Sequence, residues 1–323
     1  MNPSFALQRG GVITVGETMG LVTSDAASGT ALAHDPLARI GFGGAESNVA
    51  IGLSRLGVPT TWVSRLGDDL FGELIRRELR AEGVTVLAKT DADRPTGMMV
   101  KQRRRADDVR VTYYRSASAA SRLAAADLPL EHVGSYGALH VTGITLALGE
   151  SPRDAIESGM LAARAAGTPV SFDLNFRSRL WTAEDAGKVF ARLVPLADIL
   201  FAGVDEARLL FPDLHDSVAL ARALQALGPA TVLVKLGEKG AVAAIGKQIV
   251  AIDAVTVKVV DTVGAGDSFA AGFLAATLRG EAPVEALTVA ARVAAMTCAS
   301  PGDWEGAPTA EDLRVRPSEP VDR

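Results

Sequence analysis

Residues 261–274 read Asp-Thr-Val-Gly-Ala-Gly-Asp-Ser-Phe-Ala-Ala-Gly-Phe-Leu, a glycine-rich turn that runs into an apolar helical pattern with Asp267 at the junction. Gly264 and Gly266 carry no Cβ, so the backbone amides of Gly264, Ala265, Gly266 and Asp267 can converge on one point. The positive end of the following helix favours negative charge there. A carboxylate beside a bound phosphoryl group is placed to take a proton from an attacking hydroxyl, which makes Asp267 a candidate general base for phosphoryl transfer. The same residues also make an ordinary helix start capped by Asp267, and glycine turns of that kind are common.

A second glycine-rich element, residues 41–57, enters another helical pattern. Gly43 and Gly44 would let the backbone approach a ligand closely, and Asn48 offers an amide to hydroxyls. The alternative is a helix start stabilised by Ser47 or Asn48.

The chain has 323 residues, 48% hydrophobic and 22% charged, enough for a large core in one or two domains. Its formal charge of −5 argues against nucleic acid as a partner and leaves small molecules as the expected ligands. One cysteine, Cys298, rules out an internal disulfide and fits a reducing cytoplasm. No apolar span is long enough for a transmembrane helix, and no signal peptide is expected; residues 1–10 and 314–323 read as loose ends. The spacing of glycine and lysine excludes a P-loop, and no dinucleotide fingerprint follows the first strand. His34, His132, His140 and His215 do not pair, which removes support for metalloprotease or serine-hydrolase chemistry and makes them filler.

The positioning elements come from hydrophobic periodicity. Strand-like runs at 12–15, 60–63, 170–172, 199–201, 231–234, 242–245 and 255–259, and one ending at Val141, are interleaved with helical patterns. Those patterns fall at 49–56, 70–79, 152–166, 183–193, 206–211, 218–227, 265–278 and 284–299. This alternation implies an α/β fold with a mostly parallel central sheet covered by helices on both faces. Residues 19–42 and 94–116 break it with strand-like alternation and no helix. They are expected to form a small lid over the strand ends where such sheets bind ligands; two unrelated surface hairpins are the alternative. The basic run 101–105 is expected to be a solvated hairpin tip offset by Asp107 and Asp108.

Together, the elements at 41–57 and 261–274 resemble the two signatures of the ribokinase-like, or PfkB, carbohydrate kinases, and the likeness covers roughly residues 11–313. The resemblance implies a three-layer α/β/α domain with a β-sheet lid, ATP and Mg2+, an anion hole at 264–267 and Asp267 as base. A monovalent cation such as K+ is a further candidate. Residues 235–240, with Lys235, Gly237 and Gly240, resemble the loop over the nucleotide, and Glu206 the glutamate that holds magnesium through water. Gly203 stands where that motif carries asparagine. The 299–306 loop is expected to close the base pocket. An exposed lid edge is a surface for a second copy, giving a homo-oligomer.

Within the family, residues 111–119, 141–148, 172–181 and 302–308 look most like the 2-keto-3-deoxygluconate kinases. A sugar acid needs cations, and Arg115 and Arg177 follow predicted strands from which they would fork onto a carboxylate. Tyr113 and Tyr114 alternate across a strand, so one of them faces the pocket. Asp173 and Asn175 are expected at the end of one strand, ordering hydroxyls or water near the nucleotide. Met99 stands where these kinases usually carry tyrosine, which leaves fructokinase or another sugar kinase open. A non-catalytic sugar or nucleotide sensor is the reading of another class.

Overall fold

The computed structural model describes residues 10–24, 38–105 and 108–314. The expected loose termini, apart from Gly10 and Arg314, lie outside the described residues. So do the middle of the first lid segment with His34, and Ala106 and Asp107 of the basic hairpin.

Valine-rich β1 (Val12–Val15) opens the chain, and β2 (Met19–Ser24) and β3 (Ala38–Gly43) follow before α1 (Ala45–Arg55). Next come β4 (Thr60–Gly67), α2 (Leu70–Ala81), β5 (Thr85–Asp91), β6 (Met98–Arg105) and β7 (Asp108–Tyr114). After short 3-10 turns the chain enters β8 (Ala138–Thr142), α3 (Gly143–Leu146), α4 (Glu150–Ala165), β9 (Val170–Asp173) and α5 (Ala183–Leu193). It continues through β10 (Ile199–Gly203), α6 (Val204–Ala207), α7 (Ser217–Gln225) and β11 (Thr231–Lys235). The hairpin β12 (Ala241–Ile245) and β13 (Gln248–Ile252) precedes α8 (Ala265–Leu278) and α9 (Pro283–Cys298).

Nine strands form the main sheet in the order β13-β12-β11-β10-β9-β8-β1-β4-β5. Pairing is parallel from β11 to β5 and antiparallel at β12 and β13. The central strands β1, β9 and β10 are buried on both faces apart from Gly203 at the end of β10. One face packs under α1, α8 and α9, where Val12 and Leu233 meet Val49, Phe269, Phe273 and Leu287. The other packs Val141, Phe172 and Val232 against Ile156, Phe190 and Leu220 of α4, α5 and α7.

A separate four-stranded sheet, β3-β2-β6-β7, joins the two inserted segments. Met99 pairs directly with Tyr113 and Leu21, so Leu21, Met99, Lys101, Val111 and Tyr113 share the inner face. Buried Met19, Leu21 and Met99 form a small core of its own there.

Three expectations need correction. Residues 255–259 form no strand, pairing with nothing among the described residues. The last strand is instead β13, because a tight turn at Gly246 (φ +53°) sets Gln248 opposite Ile245. The half-exposed edge strand β5 escaped notice because lysine, threonine and aspartate dilute its apolar alternation. The helix expected at 206–211 is only α6, with turns after it.

Candidate active site

Asp173 ends β9 and Lys235 ends β11, one strand apart. The Lys235 ammonium donates to both oxygens of Asp173, at 2.9 and 2.7 Å. Burial by itself would lower the lysine pKa, but Asp173 and Glu206 outweigh it and hold the group charged. A Cβ on Gly266 would lie 3.5 Å from this ammonium, so a fixed cation stands against the glycine turn.

That turn is the N-terminus of α8. Gly264 is its cap at φ +75°, and a Cβ there would come within 1.7 Å of the Asp303 carbonyl, so only glycine fits. The capping role first open to Asp267 thus belongs to Gly264; Asp267 lies in the first turn. Ala265 turns its N–H to the Thr262 carbonyl at 3.3 Å. The amides left without a protein partner among the described residues are therefore those of Gly264, Gly266 and Asp267, three donors instead of the four expected.

Asp267 is buried. Asn48 Nδ2 donates to its Oδ2 at 2.8 Å and Asn175 Nδ2 to its Oδ1 at 3.4 Å. Burial raises its pKa to about 6, against the opposing effect of the Asn48 bond. The Asn48 amide is itself fixed, since its Oδ1 accepts the N–H of Gly44, the cap of α1, at 3.5 Å. Ser47 Oγ instead donates to the Gly44 carbonyl at 2.9 Å. Asn175 lies just past β9 at φ +38°, with its amide turned to Asp267.

Glu206 accepts the N–H of Phe176 at 3.0 Å and of Gly203 at 2.6 Å, one on each oxygen, and burial raises its pKa. Each oxygen keeps a lone pair with which it could accept a bond from a magnesium-bound water. No cluster of three acidic, histidine or cysteine residues capable of holding a metal occurs among the described residues. Gly203, in place of asparagine, contributes a backbone amide here. Beyond Lys235, Gly237 and Gly240 turn the chain at φ +61° and +91°.

The two arginines expected to grip a carboxylate differ. Arg177 is exposed and, among the described residues, donates only to its neighbour's carbonyl at 3.2 Å, while its charge favours the ionised forms of Asp267 and Glu206. Arg115 is nearly buried and ion-paired through Nη2 with fully buried Glu17, which Ser118 also contacts. It lies 6.0 Å from the Tyr113 ring centroid, and its charge is largely committed inside the protein. Of the two tyrosines, Tyr113 shares the inner face with Met99, and Tyr114 points outward. Met99 is buried, and its methyl would lie 3.0 Å from a Cβ on Gly43.

The site defined by this fold is that of a phosphotransferase: a glycine-capped helix start with free amides, a buried carboxylate with a pKa raised to about 6 and a lid. The model of the pfkB family carbohydrate kinases matches residues 11–310, and the chain belongs to that family. It is 37% identical over 306 residues to the 2-dehydro-3-deoxygluconokinase of Bacillus subtilis (strain 168), covering 93% of each chain. It is 36% identical to a fructokinase of Klebsiella pneumoniae over 72% of this chain and 76% of that one. The crystal structure of 2-dehydro-3-deoxygluconokinase from Thermotoga maritima superposes with a TM-score of 0.83, at 25% identity over 94% of this chain and 96% of that one.

Several residues at the site were not singled out from the sequence. Asp303 is buried, with its pKa raised to about 7 by burial, and a Cβ on Gly43 would lie 2.2 Å from its Oδ2. Its signal was an aspartate between Gly302 and Gly306. The 299–306 loop is tied to the root of the lid: Trp304 Nε1 donates to the Phe42 carbonyl at 3.1 Å. Glu46, fully buried with its pKa raised to about 7 by burial, accepts from Thr142 and Thr145 at 2.7 and 2.6 Å. Lys101, expected in a solvated tip, is buried against Asp261. His140, as expected, is core filler; burial lowers its pKa to about 3, and it sits 2.8 Å from Ser171 Oγ.

Proposed function

We propose that this carbohydrate kinase transfers the γ-phosphoryl of ATP to the primary hydroxyl of a sugar acid, 2-keto-3-deoxygluconate, giving its 6-phosphate. The observation that carries the reading is the bond between Asn48 and Asp267, which joins both glycine-rich elements at one buried carboxylate beside three free amides. Asp267 accepts the hydroxyl proton as the oxygen attacks in line. The amides of Gly264, Gly266 and Asp267 hold the transferring oxygens, and Lys235 adds a fixed positive charge. Mg2+, when bound, supplies neutralisation of the phosphate charge, with Glu206 and Asp173 the groups that would hold its water shell. Gly43, Gly44, Tyr113 and Asp303 line the sugar side, Arg177 meets the carboxylate, and Gly237 and Gly240 shape the nucleotide loop. The lid excludes water during transfer.

The relatives named for this acid support the substrate. The neutralisation of Arg115 by Glu17 favours a second reading, a fructokinase, because only Arg177 is then left for a carboxylate. The intact turn at 264–267 speaks against a non-catalytic sensor. The cytoplasm as location, K+ as an additional activator and self-association through the open lid edge complete the proposal. ADP release against 2-keto-3-deoxygluconate, its galacto epimer, fructose, ribose and adenosine tests it, with and without K+. Turnover on fructose but on neither acid would overturn the substrate. No turnover with ligand-induced thermal shifts would favour the sensor.

A further inference from the structure

The basic run at 101–105 has no part in the mechanism above, yet its first residue reaches the base of the anion hole. Lys101 lies on the inner face of lid strand β6, two residues beyond Met99. Its Nζ donates to Asp261 Oδ2 at 2.5 Å, and the two side chains are only 11% and 10% exposed. Asp261 uses its other oxygen to accept the N–H of Val263 at 3.2 Å. The backbone amides of Val260 and Asp261 both donate to the Cys298 carbonyl, at 2.8 and 3.3 Å. Val263 directly precedes Gly264. The carboxylate gripped by Lys101 therefore shapes the residue that launches the anion-binding turn.

A second link runs through Asp303. Its carbonyl packs on Gly264 and its carboxylate lies beside Gly43 at the end of β3. The Lys101 charge favours the ionised form of Asp303, while burial and the charges of Glu305, Asp267 and Asp261 oppose it. One lid cation thus faces acids on both sides of the turn. A pair so shielded from water is weakly screened, and removing one partner strands the other charge.

We propose that Lys101 is a positioning residue whose ammonium latches the lid onto Asp261 and thereby sets the anion-hole turn, so that the phosphoryl site is complete only with the lid closed. The consequence for turnover rests on the kinase reading; the mechanical coupling does not. Loss of the latch leaves the ATP-binding loop intact but misplaces the amides that act on the transferring group.

Hydrogen exchange of the unliganded protein and steady-state kinetics test this together. In Lys101→Met, the amides of 98–101 and the hydrogen-bonded amides of Asp261, Val263 and Ala265 should exchange at least about tenfold faster, as local opening of one coupled unit requires. The kcat should fall by about 10- to 100-fold with KM for ATP within about threefold. ATP hydrolysed per sugar phosphorylated should rise. Lys101→Arg should restore kcat to within about fivefold. Asp261→Asn should match Lys101→Met, and the double variant should lose no more than either. Unchanged exchange at Asp261, Val263 and Ala265, or losses that multiply in the double variant, overturns the latch. If Lys101→Met fails to fold, Asp261→Asn and Lys101→Arg carry the same comparison. If the unmodified protein phosphorylates no sugar, the kinase reading fails while the exchange data still decide the coupling.

Discussion

Asn48 and Asp267 meet at 2.8 Å although 219 residues separate them, and the helices that carry them touch again one turn later. A Cβ added to Gly52 would lie 2.9 Å from the Cβ of Ala271. Positions 48 and 52 share a face of α1, and 267 and 271 share a face of α8. Close packing of small residues thus fixes the distance at which the Asn48 amide reaches the Asp267 carboxylate.

The pH dependence follows from Asp267. Its pKa is raised to about 6, so the ionised form that the proposed mechanism uses as base is lost below that pH. The kcat/KM of the free enzyme should rise about tenfold per pH unit up to about 6 and flatten above it. Asp267→Asn should remove this limb and lower kcat by about two to four orders of magnitude with ATP affinity retained. A flat wild-type profile across this range would exclude Asp267 as the base.

The same shift has an opposite consequence for stability. The carboxyl holds its proton more tightly when folded, with a pKa of about 6 against 3.8 unfolded. Its contribution is fully favourable below about 4 and is lost as pH rises through 6. Asp267→Asn should therefore stabilise the protein at neutral pH, by on the order of 1–3 kcal/mol, and the gain should vanish near pH 4. Thermal unfolding at both pH values checks the sign.

The central sheet was legible because β1, β10 and β11 are buried almost throughout and read as short, mostly apolar β-branched or aliphatic runs, while β9 (Val-Ser-Phe-Asp) keeps apolar residues at alternate positions. The glycine turns were legible because Gly264 and Gly240 hold positive φ where no side chain fits. Asp303 and Lys101 were not. Their importance comes from contacts with Gly43 and with Asp261, 160 residues beyond Lys101, and a local pattern carries no record of such partners. The partner of Arg115 was hidden for a related reason: Glu17, the acid paired with it, lies on the far side of β2 in sequence.

The two arginines should separate by experiment. Arg177→Ala removes an exposed cation without an internal partner carboxylate, so KM for the sugar acid should rise about 10- to 100-fold with little change in melting temperature. Arg115→Ala leaves Glu17 buried and unpaired, which should destabilise the fold by about 3–5 kcal/mol. Adding Glu17→Gln should recover much of that loss. Equal kinetic and thermal effects from both substitutions would contradict this division.

Gly52→Ala tests whether helix spacing controls the base. The new methyl must displace α1 or α8, because 2.9 Å is closer than two Cβ atoms approach. Alanine also gains helix propensity of about 1 kcal/mol over glycine, so global stability should change little as strain and propensity oppose each other. The Asn48 bond lowers the Asp267 pKa, so lengthening it should move the acid limb of kcat/KM upward. The kcat should fall about tenfold or more as the base is displaced. Asn48→Ala, which deletes the donor outright, should move the limb further in the same direction. An unchanged limb in both variants would show that burial alone sets the pKa of Asp267.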